Sequence, residues 1–508
     1  KNYIFFAIKG NKTNGEKFIK EAINKGSPVI VCSKNCKIKS KKALIIRTKN
    51  IRYLLSLITS RFYKLKPKNI IAVTGTNGKT SVADLFYQIF KINRIPVASI
   101  GTLGVKYNGK IIKTHLTSPD TISLHKNLNF LKNKNINNVI IESSSHGLDQ
   151  KRLNDLKFKA GIFTNFSQDH LDYHKNMKSY LNSKLILFNK ILSKKSFIIS
   201  DSTIKEFKIL KKIAKKRKLK LIDIYNIEKK LKKLKNLKMN DFQLKNLAMA
   251  IAAAKICKLN DKKIFKSLNK IKGVDGRLEL VKTFPNNIKV LIDYAHTPDA
   301  LFKSISAIKN LYGENISLVF GCGGDRDKKK RPLMAKIASL NCKKIYVTDD
   351  NPRQEDPKKI RNIILKNIKN KNKYNIGNRM GAIRFAIANA SQNEIILVAG
   401  KGHEDQQIYK KKVLNISDKQ IIKKLNFKIK KISKKEQNYL ENVKIAEEII
   451  KKRKIKKFHG LAIDSRQVTK NNLFLTIKGK NNDGVKFAGK ALKRGAKYIV
   501  SSRNIKNF

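Results

Sequence analysis

Residues 69–84 read NIIAVTGTNGKTSVAD, and few folds can accommodate them. Ile70, Ile71, Ala72 and Val73 form a short apolar run of the kind found in a strand buried on both faces. A polar loop follows with Gly75 and Gly78, then Lys79, Thr80 and Ser81; from Val82 the spacing of Val82, Leu85, Phe86 and Ile89 predicts a helix. Strand, glycine loop, Lys-Thr and helix make a phosphate cradle. Glycines let backbone N–H groups approach phosphate oxygens, the helix N-terminus favours anions, Lys79 adds a point charge and Thr80 offers a hydroxyl to Mg2+. The full Walker spacing asks for a glycine where this chain has Val73, so GTNGKT is a shortened variant.

The chain has 508 residues, enough for three or four domains with their own cores. No apolar run reaches the ~18–20 residues that a membrane-spanning helix requires, and the first ten residues read as a strand, not a signal peptide. Five scattered cysteines make no disulfide framework. A cytoplasmic protein without membrane insertion is expected. The formal charge of +77 raises a nucleic-acid role, but the lysines are spread through all segments without interleaved aromatics, so no specific nucleic-acid partner is expected.

Residues 1–35 and 470–504 align without a gap at 15 identical positions of 35, among them Gly10/Gly479, Gly15/Gly484, Phe18/Phe487 and Gly26/Gly495. This is a duplicated strand–turn–helix–strand module. The second copy carries Asp464-Ser465-Arg466 upstream; the first has no counterpart, so the chain reads as a fragment at both ends. Between the copies, ESSSHGLDQKR (142–152), TNFSQDHLDYH (164–174), DYAHTPDAL (293–301), GCGGDRDKKKRPLM (321–334), DNPR (350–353) and GKGHEDQQ (400–407) each follow an apolar run. Ligands bind α/β sheets at the carboxyl ends of strands, so these loops are expected to converge on clefts. Residues 240–256 predict a helix, GVDGRLE (273–279) a hinge, and residues 190–236 carry many lysines and no legible pattern.

Taken in order, GTNGKTS, ESSSHGLDQKR, TNFSQDHLDYH, YLNSK, GRLE, DYAHTPDAL, GCGGDRDKKKRPLM, DNPR and GKGHEDQQ resemble the motifs of the Mur ligases, the ATP-dependent amide-forming enzymes of peptidoglycan synthesis. The resemblance covers roughly residues 1–425. It implies an α/β fold in three domains: a small α/β N-terminal module that takes the UDP-sugar substrate (1–66), a central P-loop-type ATPase domain (67–275) and a C-terminal Rossmann-like α/β domain that binds the amino acid (276–425). A charged helical linker (426–457) and a partial second N-terminal module (458–508), similar to the start of the ligase that adds D-Ala-D-Ala, would complete the chain. The branch most resembled adds the third residue of the stem peptide to UDP-MurNAc-L-Ala-D-Glu.

The resemblance assigns roles residue by residue. ATP would lie on Gly75, Thr76, Asn77, Gly78, Lys79, Thr80 and Ser81, with Asn246 and His296 beside it; His296 is alternatively a structural histidine. Lys79, Glu142, His170 and a carbamylated Lys184 would be catalytic, and Thr80, Glu142, His170 and Lys184 would hold Mg2+; an ordinary helix-surface lysine is the alternative for Lys184. UDP-MurNAc-L-Ala-D-Glu would meet Thr117, Ser118, Ser144, Gln150 and Arg152, where Leu116 departs from relatives that carry Asn. Asp350-Asn351-Pro352-Arg353 matches the branch that takes meso-diaminopimelate, with Arg326, Gly400 and Glu404 completing the pocket. An arginine fork suits the distal carboxylate that distinguishes diaminopimelate from lysine; otherwise Arg353 caps its loop or pairs with Glu355. Asn378-Arg379 replaces the Asp-Arg of many relatives, and Cys322 reads as packing. A monomer is expected. The rival readings are a folylpolyglutamate-synthase-like ligase and an inactive basic relative that binds nucleic acid.

Overall fold

The computed structural model describes residues 3–10, 13–114, 116–234, 237, 239–410, 412–426, 460–476 and 483–501, in two compact units that divide after Leu425. The linker expected over 426–457 lies, past its first residue, outside the described residues. Among the described residues no helix is long and apolar enough to cross a membrane.

The first unit opens with a parallel sheet, β1 (Ile4–Phe6), β2 (Val29–Ser33) and β3 (Leu44–Thr48), in that order. Ile19, Ile30, Cys32 and Ala43 are buried under it. The second unit repeats the design with β20 (Gly460–Ala462), β21 (Asn472–Thr476) and β22 (Ala496–Ser501). The repeat extends to the caps. Asn14 and Asp483 each accept a hydrogen bond at 3.2 Å from the backbone N–H two residues on, and each starts the same short 3-10 turn, Gly15–Phe18 or Gly484–Phe487.

The central sheet contains β4 (Asn69–Thr74), β5 (Val97–Gly101), β6 (Gly104–Tyr107), β7 (Lys110–Ile112), β8 (Asn138–Glu142), β9 (Ala160–Phe163), β10 (Phe197–Ser200) and β11 (Lys220–Asp223). Its order is β11-β10-β9-β4-β8-β5-β6-β7, parallel from β11 to β5 and closed by the antiparallel β6 and β7. Alternation places Ile71 and Val73 of β4 against the helices Lys79–Ile92 and Asp241–Ile256, while Ile70 and Ala72 face Leu124, Leu128 and Leu131 on the other side. Both faces are therefore covered, which is why β4 reads as an uninterrupted apolar run. Residues 190–234 fold as well. Their lysines occupy the exposed faces of helices Phe207–Arg217 and Tyr225–Lys232, whereas Leu210, Ile213, Ile224 and Leu231 are buried.

The third sheet contains β12 (Glu279–Phe284), β13 (Ile288–Asp293), β14 (Ile316–Phe320), β15 (Lys344–Val347), β16 (Lys373–Asn375) and β17 (Ile395–Ala399), in the order β12-β13-β17-β14-β15-β16. It is parallel apart from β12. A hairpin, β18 (Gln406–Tyr409) and β19 (Lys412–Asn415), follows β17. The carboxyl ends of β4, β8 and β9 share a cleft with those of β13 and β15.

Candidate active site

The glycine loop after β4 is held open by backbone geometry. Gly75 has φ +143° and Gly78 has φ +87°; a Cβ on Gly75 would lie 1.9 Å from Thr164 Oγ1, and one on Gly78 2.6 Å from Asn246 Oδ1. The segment after β9 braces the loop: Asn165 accepts from the Thr76 and Asn77 N–H groups at 2.9 and 3.0 Å, and Thr164 Oγ1 donates to the Asn77 carbonyl at 2.6 Å. The Lys79 ammonium folds back onto the Gly75 and Thr76 carbonyls at 2.9 and 2.8 Å, and burial, more than any neighbour, lowers its pKa. Ser81 also lines the cleft, one turn into the helix.

At the end of β8, Glu142 is almost fully buried. It accepts from Thr80 Oγ1 at 2.9 Å and from the Thr102 N–H and hydroxyl at 2.9 and 3.0 Å. Arg277, in the expected hinge, donates to Thr80 Oγ1 at 3.1 Å and stacks 4.3 Å from the Tyr294 ring. Lys184 lies in the helix Met177–Ile186, 1% exposed, over the Tyr180 ring and donating to the Gly75 carbonyl at 2.7 Å. An ordinary surface lysine it is not. Burial, reinforced by the Lys79 ammonium, holds its pKa far below the lysine value. The Thr80 hydroxyl and the Glu142 carboxylate are hard oxygen donors suited to Mg2+; the Lys184 side chain becomes an oxygen ligand only as a carbamate. No group of three or more His, Cys, Asp and Glu side chains among the described residues could hold a metal without such help.

Asp169, to which the family resemblance gives no role, ties the two large sheets together. Its carboxylate lies 3.3 Å from His170 Nε2, 3.4 Å from His296 Nε2 and 3.7 Å from Lys330 Nζ. Burial alone would raise this carboxyl; His170, Lys330 and His296 outweigh it and keep the group ionised well below the usual range. His170 adopts φ +55° at the head of the turn Leu171–His174, and burial, against the pull of the Asp169 carboxylate, pushes its pKa well down. His296 is half-buried in the cleft wall, with Nδ1 2.8 Å from the Tyr294 carbonyl.

The hydroxyl cluster forms beside the loop. Ser118 Oγ donates to the Glu142 carbonyl at 2.8 Å and lies 3.0 Å from Ser144 Oγ; Thr117 Oγ1 is 3.2 Å from the Thr102 hydroxyl. Arg152 donates to the Ser118 carbonyl at 2.7 Å and to Gln150 Oε1 at 2.6 Å. Thr117, Ser118, Ser144 and Arg152 line the cleft, whereas Gln150 stands behind Arg152 and orients it.

Opposite, Arg353 adopts φ +52° where its backbone is clamped by β18: its N–H donates to the Ile408 carbonyl at 3.0 Å, and Lys410 N–H donates back to it. Arg353 Nη1 donates to the Gly324 carbonyl at 2.8 Å. It makes no pair with Glu355, which Arg331 binds at 2.9 Å. Asn351 Nδ2 donates to Glu404 Oε2 at 3.0 Å, and Tyr294 OH to Glu404 Oε1 at 3.3 Å. Gly400, φ +112°, leaves room for Asp350 Oδ2, 2.7 Å from where its Cβ would be. Arg326 reaches across to Asp172 at 4.0 Å.

One cleft of about 1180 Å³ is lined by the glycine loop from Thr76 to Ser81, Glu142, His170, Lys184, Asn246, His296, Arg326, Asn351, Arg353 and Glu404. Gly75, Gln150, Asp350, Pro352 and Gly400 lie behind that lining and shape it. Arg379 is turned away, fully buried against Asp418 at 2.7 Å, and Asn378 caps its helix by accepting from Gly381 N–H at 2.8 Å. Cys322 is packed against Met334, and burial pushes its thiol up to about 11. Arg277, Asp169 and Tyr294 lie in GRLE, TNFSQDHLDYH and DYAHTPDAL; the charge of the first two and the ring of the third are the signals the sequence offers.

The chain matches the Mur ligase middle domain over residues 73–267, the Mur ligase glutamate ligase domain over 276–402, and the Mur ligase family catalytic domain over 457–506. It is 39% identical over 448 residues to a UDP-N-acetylmuramoyl-L-alanyl-D-glutamate–2,6-diaminopimelate ligase of Rickettsia montanensis, covering 83% of this chain and 92% of that one. A protein of the same name from Wigglesworthia glossinidia brevipalpis is 39% identical over 469 residues, with 84% and 93% covered. Among solved structures, a ligase of that name superposes at a TM-score of 0.54 and 25% identity, with 83% and 91% covered. A folylpolyglutamate synthase of Mycobacterium tuberculosis complexed with ADP and AMPPCP reaches 0.55 at 15% identity, with 69% and 91% covered, a likeness of fold.

Proposed function

The chain belongs to the Mur ligase family, and we propose that it joins meso-diaminopimelate to the D-glutamyl carboxylate of UDP-MurNAc-L-Ala-D-Glu at the expense of ATP. The observation that carries this reading is the single cleft in which a phosphate loop, a hydroxyl-and-arginine wall and an Arg353–Asn351–Glu404 pocket face one another.

The chemistry follows from that juxtaposition. The substrate carboxylate attacks the terminal phosphorus of ATP, ADP leaves, and an acyl phosphate forms. The amine of diaminopimelate then attacks the acyl carbon, loses a proton, and expels phosphate. The loop N–H groups and Lys79, released from the Gly75 and Thr76 carbonyls, neutralise the transferring phosphoryl oxygens. Thr80, Glu142, His170 and carbamylated Lys184 would hold Mg2+, which when bound supplies further charge neutralisation. Ser118, Ser144 and Arg152 orient the muramyl peptide, with Arg152 fixed by Gln150. Arg353 takes the distal carboxylate of diaminopimelate and Glu404 the adjacent ammonium. Arg277 and Asp169 link the two sheets around the cleft, which keeps water from the acyl phosphate.

Such an enzyme works as a cytoplasmic monomer, where ATP and Mg2+ are available. The second small module we read as the opening of another Mur-type ligase; parent-gene sequence after Phe508 lacking a further phosphate loop contradicts that. The main reading is tested by ADP release with the muramyl dipeptide and ATP. Release that is fast with diaminopimelate and only weak with L-lysine is expected; release with lysine that equals or exceeds it contradicts the pocket assignment, and release with neither contradicts the ligase.

A further inference from the structure

We infer that Lys401 is a positioning residue of the amino-acid pocket, fixing Glu404 and Asn351 so that they meet the substrate ammonium without reorganising. The inference rests on the ligase reading above. Lys401 lies in the turn between Gly400 and Gly402, both with positive φ, and is fully buried. Its ammonium donates to the Gln406 carbonyl and to Glu404 Oε2 at 3.3 Å, and lies 3.5 Å from Asn351 Oδ1. The acceptors are linked in turn. Asn351 Nδ2 donates to Glu404 Oε2 at 3.0 Å, and Asn351 Oδ1 accepts from Ile408 N–H at 3.0 Å.

Lys401 is absent from the cleft lining, whereas Asn351 and Glu404 belong to it, so Lys401 can reach substrate only through them. A buried ammonium is retained only where acceptors surround it, and three acceptors converge on this one. The Glu404 side chain, one-third exposed, would otherwise sample several rotamers and lose that freedom on binding. Lys401 below, Asn351 beside and Tyr294 across from it remove the freedom in advance, with Oε1 left to a single neutral donor and available to an incoming ammonium.

The test uses the full chain, with KM measured separately for diaminopimelate, ATP and the muramyl dipeptide. Lys401→Met should raise the KM for diaminopimelate about 10-fold or more, leave kcat within about threefold, and leave the other two KM values unchanged. In a Glu404→Gln background the same substitution should cost clearly less than in the wild-type background, because the charged one of its two routes to substrate has been removed. Lys401→Gln, which keeps an amide donor in the same space, should fall between wild type and Lys401→Met and supplies the comparison if the methionine variant does not fold. Equal losses in both backgrounds, or losses spread over kcat and all three KM values, overturn the inference while leaving the ligase reading intact. Wild-type ADP release that ignores diaminopimelate overturns the ligase reading and this inference with it.

Discussion

Removing the Arg353 guanidinium should erase substrate discrimination while the chemistry continues. Of its five donors, Nη1 is occupied by the Gly324 carbonyl at 2.8 Å and by the Asn351 carbonyl at 3.4 Å; among the described residues Nε and Nη2 donate to no protein acceptor. Two charge-assisted hydrogen bonds to a carboxylate contribute ~1.5–3 kcal/mol each, and partial exposure and non-additivity reduce the pair to ~2–4 kcal/mol. That corresponds to a loss of roughly 30- to 1000-fold in kcat/KM for diaminopimelate in Arg353→Ala. Alanine adopts the φ of +52° at about the same cost as arginine, so backbone strain does not enter the comparison. L-Lysine has no distal carboxylate, and its weak turnover should change by less than about threefold. Coupled detection of ADP release at saturating ATP and muramyl dipeptide measures both. An equal loss for the two amino acids would show Arg353 to be a loop brace, and no loss for either would remove it from the pocket.

Gly75→Ala places a Cβ 1.9 Å from Thr164 Oγ1 and 3.1 Å from the Asn165 backbone, at φ +143°; a cost of ~2–5 kcal/mol is expected from strain and overpacking, read as a lower denaturant midpoint and weakened ADP binding by calorimetry. Lys184→Met should abolish turnover yet leave stability within ~1 kcal/mol of wild type by thermal unfolding, because the Gly75 carbonyl that Lys184 occupies still accepts from Lys79 at 2.9 Å; a collapse in stability would contradict this. His125 is fully buried, and burial, with Lys66 nearby, lowers its pKa to about 4. Between its ordinary value and 4 the unfolded chain binds the proton and the folded one does not, so this contribution to stability falls as pH drops, by roughly 2 kcal/mol at pH 5. In urea titrations at pH 7 and 5, His125→Gln should lose less on acidification than wild type by that margin.

The parts of the fold legible in the sequence are those in which local pattern and tertiary role agree. β4 is buried on both faces and so reads as four consecutive apolar residues, and the helix Asp241–Ile256 carries a capping box formed by Asn240 and Gln243. Residues 190–236 were illegible because their lysines hide a sparse apolar set, Leu210, Ile213, Ile224 and Leu231, whose periodicity is visible only once the exposed faces are known. In the site, loop residues at strand ends could be named from motifs, since each sits where an α/β sheet delivers its ligands. Asp169 and Arg277 could not be given roles that way. Each acts between sheets, Asp169 on His296 and Lys330 and Arg277 on Thr80, more than a hundred residues away in sequence. Lys401 is hidden for another reason. In a chain with 113 basic residues a lysine carries little information, and only its complete burial sets it apart.

The central claim is that the carboxylate of the muramyl peptide is activated as an acyl phosphate before the amine attacks. Muramyl dipeptide labelled with 18O in its D-glutamyl carboxylate, incubated with ATP, diaminopimelate and the protein, reports on this directly through the mass of the released phosphate. The account predicts phosphate carrying one labelled oxygen for each amide bond formed. Product accompanied by unlabelled phosphate would contradict it.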